Sequence, residues 1–502
     1  MANTVTLSDA QVERLREALA AADYRIDATL AAIGEAGQAD LARNHTVAAE
    51  RALAGRDDPL ATLIRLFILQ LPQPAAAVQR TLPARDLLAA GLLTPAASPT
   101  GGPALAAAVD LRPYGGDDGV NGWLVSDHQA TLNTARGRPR PDHVLGCSPA
   151  SVTLAQLTPR TPVGSALDLG TGCGIQALHL ARHCARLTAT DLNPRALELA
   201  RLSLALSGVT ADLRPGSLYE PVAGESFDLI VTNPPFVIAP PRADADRLVY
   251  REGAEAADGL MRRVVAESGR HLADGGHLVV LGNWAHVRGE PWEERVAGWL
   301  PPGADAIAVQ REVLDAPEYA EVWLADAGLQ GTPDYRAELD RWLAYFDALG
   351  LERVGLGWLV LRQSRRADPS VTALDWPYPV TQPVAADLIA TLDAVDAARL
   401  PDAALAAARW RLAADAYQET TSEPGAADPL NVRLRRRVGL QRWTDVDAAL
   451  GGVLGACDGE LPLGALVAAV ASLTGDDPAA LAARLLPQLR RLVAESWLVR
   501  VV

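Results

Sequence analysis

The chain has 502 residues, a formal charge of −15 and an apolar fraction of 49%, a length and composition that allow about three domains with ample core. Four cysteines without a C-x-x-C pair exclude a disulfide scaffold and indicate a reducing compartment. No run of some 18 apolar residues spans a membrane, and the acidic balance weighs against general nucleic-acid binding, which depends on neutralising phosphates.

The first segment, ANTVTLSDAQVERLREAL, reads as an acidic amphipathic helix in place of a signal sequence, so a cytoplasmic location is expected. DPLATLIRLFILQ and ARDLLAAGLLTP then predict helices, and AVDLRPYGGDDGVNGWLVSD a β-hairpin, together the outline of a winged-helix-like domain over residues 1–139. TPAASPTGGPA, residues 94–104, reads as a linker or as the loop before the wing.

The next segment carries the chemistry. An apolar strand, Ala166 to Leu169, runs into a turn with Gly170, Gly172 and Gly174, and a second strand ends on Asp191. Such glycines let backbone amides approach a ligand at a helix start, and the later carboxylate can accept both ribose hydroxyls of a nucleoside. The glycines alternate, unlike the G-x-G-x-x-G of dehydrogenases. His179 and His183 stand i, i+4 on the following helix, but no acidic or thiol residue accompanies them in sequence, and no metal is expected. Cys173 lies inside the glycine loop, where thiol reagents are expected to reach it. Strand Phe227 to Val231 then ends in Asn233-Pro234-Pro235-Phe236, at the strand edge where open α/β sheets bind ligands. Taken alone, the tetrapeptide would also serve as a rigid turn.

Downstream come a loop with Tyr250, Arg251 and Glu252, placed towards a substrate or simply at the surface, an amphipathic helix and a strand from His277 to Leu281. A helix from Asp334 to Leu349 precedes a terminal strand, Val354 to Leu361, inserted antiparallel, so that the sheet is mixed. RQSRRADPS (362–370) and TTSEPGAADPL (420–430) read as linkers. NVRLRRRVGLQRW concentrates Arg433, Arg435, Arg436, Arg437 and Arg442; it is either a nucleic-acid contact or a solvated face offsetting acidic neighbours. All 46 basic residues are arginine, in an alanine-rich chain, so arginine richness itself is no sign of phosphate recognition. LPLGALVAAVASL, LAARLLPQLRRLVAES and WLVRVV predict two helices and a strand, again winged-helix-like.

The glycine turn, Asp191 and Asn233 to Phe236 together resemble the class I S-adenosylmethionine-dependent methyltransferases, in the branch whose fourth strand ends in (N/D)-P-P-(Y/F/W). Members methylate nitrogens on planar groups: glutamine side chains of release factors and ribosomal proteins, and exocyclic amines of adenine and guanine. The resemblance covers roughly residues 140–362. It implies a Rossmann-like α/β domain with a seven-stranded mixed sheet at 140–365, between the N-terminal domain and a winged-helix-like C-terminal domain at 366–502.

The resemblance also assigns roles. The delocalised lone pair of an amide or aryl amine is a poor nucleophile; Asn233 Oδ1 and the Pro234 carbonyl can accept its two N–H hydrogens and raise electron density as the bond forms. Pro234 and Pro235 stiffen the turn and carry no competing N–H, and Phe236 can stack on the planar group. Asp168 would orient the methionine amino group, Asp191 the ribose, and Asn193 the ribose or adenine unless it caps the helix that Pro194 begins. Thr171, Leu192 and Asn233 complete the expected cofactor contacts. The family usually has Gly-Asp after the third strand; here Gly216-Ser217 stands there, leaving Ser217 or the Leu218 amide for adenine. Ser148, Ser151 and Thr153 would reach the cofactor carboxylate or cap the helix at Pro149.

The leading expectation is a methyltransferase that uses S-adenosylmethionine on a glutamine amide of a translation-associated protein. The alternatives are a structured-RNA base amine, a natural product, or a non-catalytic nucleoside-binding winged-helix regulator. Whether a partner subunit activates the protein is not decided by the sequence.

Overall fold

Residues 6–97, 101–128, 132, 140–241, 255–426 and 428–501 are described by the computed structural model; Tyr250, Arg251 and Glu252 lie outside them. Two compact units emerge, one of residues 1–155, 160–302 and 312–359, the other of 156–159, 303–311 and 360–502.

The first unit opens with α1 (Asp9–Ala21), α2 (Ile26–Leu41), α3 (Val47–Ala52) and α4 (Pro59–Leu63). Asp58 caps α4 by accepting from Ala61 N, with Pro59 at the first helical position. Then follow β1 (Gln73–Pro74), α5 (Ala75–Thr81), α6 (Ala84–Ala89), β2 (Leu93–Ala97) and β3 (Pro103–Ala107). Their order β1-β3-β2 is that of a winged helix. A wing in this order would be the pair β2 and β3 rather than the hairpin expected at 108–127, and the linker expected at 94–104 contributes residues 94–97 and 103–104 to those strands. Its proline and alanine content suggested a loop, but Leu93, Leu105 and Ala107 are buried and the strands pair from Leu93↔Ala107 to Ala97↔Pro103.

The sequence hairpin is a separate two-stranded sheet, β4 (Asp110–Gly115) and β5 (Asn121–Ser126). Next come α7 (Pro149–Leu157), β6 (Val163–Leu169), α8 (Ile175–Leu180), β7 (Cys184–Asp191), α9 (Pro194–Leu206), β8 (Asp212–Pro215) and β9 (Phe227–Thr232). Ser203 and Ser207 on α9 accept from Val125 N (2.9 Å) and Trp123 N (3.0 Å), so side-chain oxygens satisfy part of the exposed edge of β5. Gly122 permits this approach: a Cβ there would stand 2.2 Å from Ser207 Oγ.

After these come α10 (Gly259–Ser268), β10 (Leu272–Val287), α11 (Trp292–Ala297), β11 (Ala304–Asp315), α12 (Ala316–Asp326), α13 (Tyr335–Leu349), β12 (Leu351–Gln363) and β13 (Val371–Asp375). The mixed sheet has the order β13-β11-β12-β10-β9-β6-β7-β8. Its central strands bury both faces, as β6 does from Ser165 to Leu169. Eight strands replace the expected seven because β13 pairs parallel with β11, from Ala306↔Val371 to Gln310↔Asp375. The supposed linker at 362–370 folds back on buried Asp305, which accepts from Arg366 Nε at 2.8 Å and Ser370 N at 2.7 Å.

Residues 385–501 contain α14 (Ala385–Ala398), α15 (Asp402–Ala407), β14 (Arg409–Leu412), β15 (Ala416–Thr421), β16 (Asn431–Arg436), β17 (Trp443–Asp445), α16 (Ala448–Gly455), β18 (Asp458–Pro462), α17 (Leu463–Thr474), α18 (Pro478–Ala494) and β19 (Leu498–Val501). The sheet β18-β14-β19 with α17 and α18 is winged-helix-like around Trp410, Leu485, Leu489 and Trp497, but its central strand comes from before the helices. The last supposed linker, 420–430, is mainly the connection between β15 and β16, which pair antiparallel from Ala416↔Arg436 to Thr421↔Asn431. No helix among the described residues is long and apolar enough to cross a membrane.

Candidate functional site

Leu169, the last residue of β6, lies beside Thr190 of β7 and Thr232 of β9. The residues that follow, Gly170, Asp191 and Asn233, therefore leave the sheet at one edge. Strand order diverges from β6, with β7 and β8 on one side and β9 and β10 on the other, which is where open α/β sheets form a ligand crevice. A cleft opens there, and the expected cofactor residues other than Gly174 line it: Asp168, Gly170, Thr171, Gly172, Asp191, Leu192, Asn193, Ser217, Leu218 and Asn233. Gly174 itself is one step behind the lining.

Gly170, Gly172 and Gly174 have φ of +78°, +56° and +88°, the left-handed region that glycine enters without steric cost. A Cβ at Gly170 or Gly172 would meet no atom within 4 Å, so these two also leave open space for a ligand. At Gly174 a Cβ would lie 3.4 Å from Ala200 of α9, so that glycine serves helix packing as well. Beneath the loop, Asp168 Oδ2 accepts from Thr171 Oγ1 at 2.6 Å and Ala177 N at 3.0 Å. Burial pushes its carboxyl up to about 7 despite these donors. Asp191 takes one backbone donor on each oxygen, Gly172 N at 2.9 Å and Asn193 N at 2.8 Å. That leaves further lone pairs on both oxygens for a diol, and burial raises this carboxyl too.

Asn193 is the N-cap of α9: its Oδ1 accepts from Arg195 N at 3.0 Å and its Nδ2 donates to Asp142 O at 2.9 Å. Of the two roles open to it, the cap is the one its side-chain bonds make. Leu192 is 54% exposed on the cleft, an apolar surface suited to a flat ring. Gly216 N donates to Asp191 O at 3.0 Å and Leu218 takes a φ of +46°, which turns Ser217 and Leu218 to the cleft wall. Ser148 caps α7, accepting from Ser151 N at 3.2 Å, and both serines line the cleft, whereas Thr153 does not.

Asn233, Pro234 and Pro235 line the cleft beyond the glycine loop. Asn233 Oδ1 is enclosed and has no hydrogen-bond partner among the described residues. Phe236 falls outside the lining and meets Trp323 of α12 edge-on, with centroids 6.3 Å apart.

Other lining residues lie outside the expected contacts, some of them in HVLGCSPASVTLAQL, whose position in related enzymes is that of a loop and helix over the cofactor. Leu145 and Gly146 belong to a segment held by Asp127, which accepts from Val144 N at 2.9 Å and from Arg195 Nε at 3.1 Å. Although burial opposes its charge, the Arg195 guanidinium and the Val144 amide keep the Asp127 carboxyl below its usual range. Glu255, before α10, and Arg263, on it, form an ion pair at 3.2 Å on the cleft wall.

Two side-chain expectations change. His179 does have an acidic neighbour, Asp118, supplied by the turn between β4 and β5: its Nδ1 lies 2.7 Å from Asp118 Oδ2 and its Nε2 2.6 Å from Tyr114 Oη. The ring is a tertiary tie between hairpin and α8. Cys173 is 2% exposed and burial pushes its thiol up to about 12, so the expected reaction with thiol reagents does not follow.

The donor set fits S-adenosylmethionine: an open glycine cradle, a carboxylate after the second strand, an exposed apolar side chain beside it and an unpartnered acceptor where a methyl-receiving nitrogen would sit. Residues 147–290 match the family described as the Methyltransferase small domain, and residues 21–105 match a domain of unknown function, DUF7059. The release factor glutamine methyltransferase of Deinococcus radiodurans is 42% identical over 141 residues, 26% of this chain and 50% of that one. The ribosomal RNA small subunit methyltransferase C of Salmonella arizonae is 31% identical over 175 residues, 34% of this chain and 44% of that one. The chain thus spans about half the length of the curated relatives it matches. Among solved structures, the Thermus thermophilus 16S rRNA N2 G1207 methyltransferase has 18% identity and a TM-score of 0.26, covering 43% of this chain and 56% of that one.

Proposed function

We propose that this chain, whose residues 147–290 are those of a methyltransferase small domain, methylates a glutamine side-chain amide of a translation-associated protein in the cytoplasm, using S-adenosylmethionine. The observation that carries methyl transfer to nitrogen is Asn233 Oδ1, a buried acceptor without a donor among the described residues, on a residue that lines the glycine cleft. An enclosed oxygen of this kind is costly unless a ligand completes it, and a primary amide offers the N–H it lacks.

When bound, S-adenosylmethionine supplies an electrophilic methyl group on sulfur. Asp191 would hold its ribose and Asp168, with Thr171, its methionine end. Asn233 Oδ1 and the Pro234 carbonyl accept the two hydrogens of the incoming nitrogen, fix its direction and build electron density on it. Most of the acceleration then comes from placing the nitrogen in line with the methyl carbon. In sequence, residues 1–139 and 366–502 flank the catalytic part, 140–365.

What supports glutamine is the 42% identity to a release factor glutamine methyltransferase and the charge of −15. A second reading, an exocyclic amine of an RNA base, is favoured by the 31–36% identity to ribosomal RNA methyltransferases. The test is transfer of radiolabelled methyl into a lysate of the source organism, divided between protease and ribonuclease treatment. Label lost only to protease is the expected result; label lost only to ribonuclease overturns the glutamine reading.

A further inference from the structure

The sheet β15-β16-β17 has two unlike faces. Val432 and Leu434 of β16 pack on the core around Trp410 and Trp497. On that same side Arg436 is buried, with its Nε 2.7 Å from Asp415 and its guanidinium over the Trp497 ring. Arg436 is thus structural, whereas its neighbours in sequence point the other way.

The outer face is set by register. Tyr417, Arg435 and Trp443 stand opposite one another across the three strands, and beside them Glu419, Arg433 and Asp445. Arg433 lies over the Trp443 ring at 5.9 Å, and Arg437, just past the strand, over Tyr417 at 5.1 Å. Trp376 and Tyr378 extend the aromatic surface: their centroids lie 5.3 Å and 5.0 Å from that of Trp443, and Tyr378 is 47% exposed. Arg433 pairs with Asp445 at 2.7 Å and Arg435 with Glu419 at 3.5 Å, so three guanidinium groups against two carboxylates leave an excess of one positive charge, at Arg437, on a chain of −15.

We propose that this face, built on Tyr417, Arg433, Arg435, Arg437 and Trp443, binds single-stranded RNA. Arg433 and Arg435 lie two residues, and so about 6.7 Å, apart along β16, a spacing comparable with that of successive phosphates on an extended nucleic-acid strand, and Arg437 follows just past the strand end. Rings between the cations give bases a stacking surface that any sequence can use, the arrangement of single-strand-binding surfaces. An acidic peptide would satisfy the arginines but leave the rings without flat partners. The choice of RNA over DNA rests on the translation-associated reading of the catalytic domain; the binding itself requires no methyl transfer, so it fails or stands separately from that activity.

The experiment is fluorescence anisotropy of the full chain with a labelled oligouridylate of about twelve nucleotides, titrated at salt concentrations between about 50 and 200 mM. Saturable binding is expected, weakened about tenfold by Trp443→Ala. The double variant Arg435→Gln, Arg437→Gln should flatten the plot of log affinity against log salt by about 1.4, at about 0.7 per lost phosphate contact. Glu419→Gln, which removes the half-buried carboxylate paired with Arg435 at 3.5 Å and so frees that guanidinium, should tighten binding; this arm holds even if Trp443→Ala fails to fold by circular dichroism. No saturable binding, affinity indifferent to Glu419→Gln and to the arginine pair, equal affinity for the matching DNA, or displacement by an acidic peptide in preference to RNA each overturns the proposal.

Discussion

Asn233→Ala should separate stability from activity, because the same oxygen acts with opposite sign in the two. In the free protein Asn233 Oδ1 is enclosed and unpartnered among the described residues, and such a group costs about 1–3 kcal/mol. Alanine removes that cost, so the melting temperature should hold or rise, by about 2–4 °C per kcal/mol for a unit of this size. In the transition state the oxygen gains a donor from the reacting nitrogen. By analogy with deleting one oxyanion-hole partner, its loss should lower kcat by about 10²–10³, or about 2.7–4 kcal/mol. Gly170, Gly172 and Asp191, the residues proposed to hold the cofactor, are untouched, so affinity for S-adenosylmethionine by calorimetry should stay near wild type. The assay is initial-rate transfer of tritiated methyl to the identified substrate, with kcat and KM determined separately and melting followed by scanning fluorimetry. Turnover within a few-fold of wild type would remove Asn233 from the mechanism. A large fall in melting temperature would mean the oxygen already has a partner in solution.

Asp191→Ala should weaken calorimetric cofactor affinity at least about tenfold, since it deletes a charged acceptor worth some 1.5–3 kcal/mol; equal affinity would contradict the ribose assignment. Asp168 makes stability depend on pH. Its carboxyl stands at about 7 in the folded protein against about 3.9 unfolded, so between those values the folded state keeps a proton that the unfolded chain has released. Its contribution is complete below about pH 4 and is lost, by up to about 1.4 kcal/mol per pH unit, as pH rises towards 7. Denaturation of wild type and Asp168→Asn across that window should show the difference, and parallel curves would show that Asp168 is not the group responsible. Ser203→Ala leaves Val125 N without its acceptor and should cost about 1–3 kcal/mol in chemical denaturation; no measurable cost would mean that water replaces the serine.

The sequence by itself determined the elements whose chemistry is local. Only glycine takes the left-handed conformation at 170, 172 and 174 without cost, and two successive prolines stop β9 and carry no N–H at the ligand edge. These constraints act within a few residues, so the strand, turn and helix of the cofactor cradle and the Asn233 tetrapeptide could be read in order. Tertiary structure decided whatever depends on a partner far along the chain. The paired strands β2 and β3 looked in part like a linker because backbone pairing needs no particular composition. Asp305 lies about sixty residues before the segment it folds into the eighth strand. Asp118 reaches His179 from a hairpin tied to the fold by serines of α9 and by Tyr24, all distant from it in sequence. The arginines of 433–437 look alike in sequence, yet the two-residue period of β16 sends Arg436 into the core beside Asp415 and its neighbours outward over aromatic rings. Period and composition specify a face; which groups cover that face is set by segments that sequence distance hides.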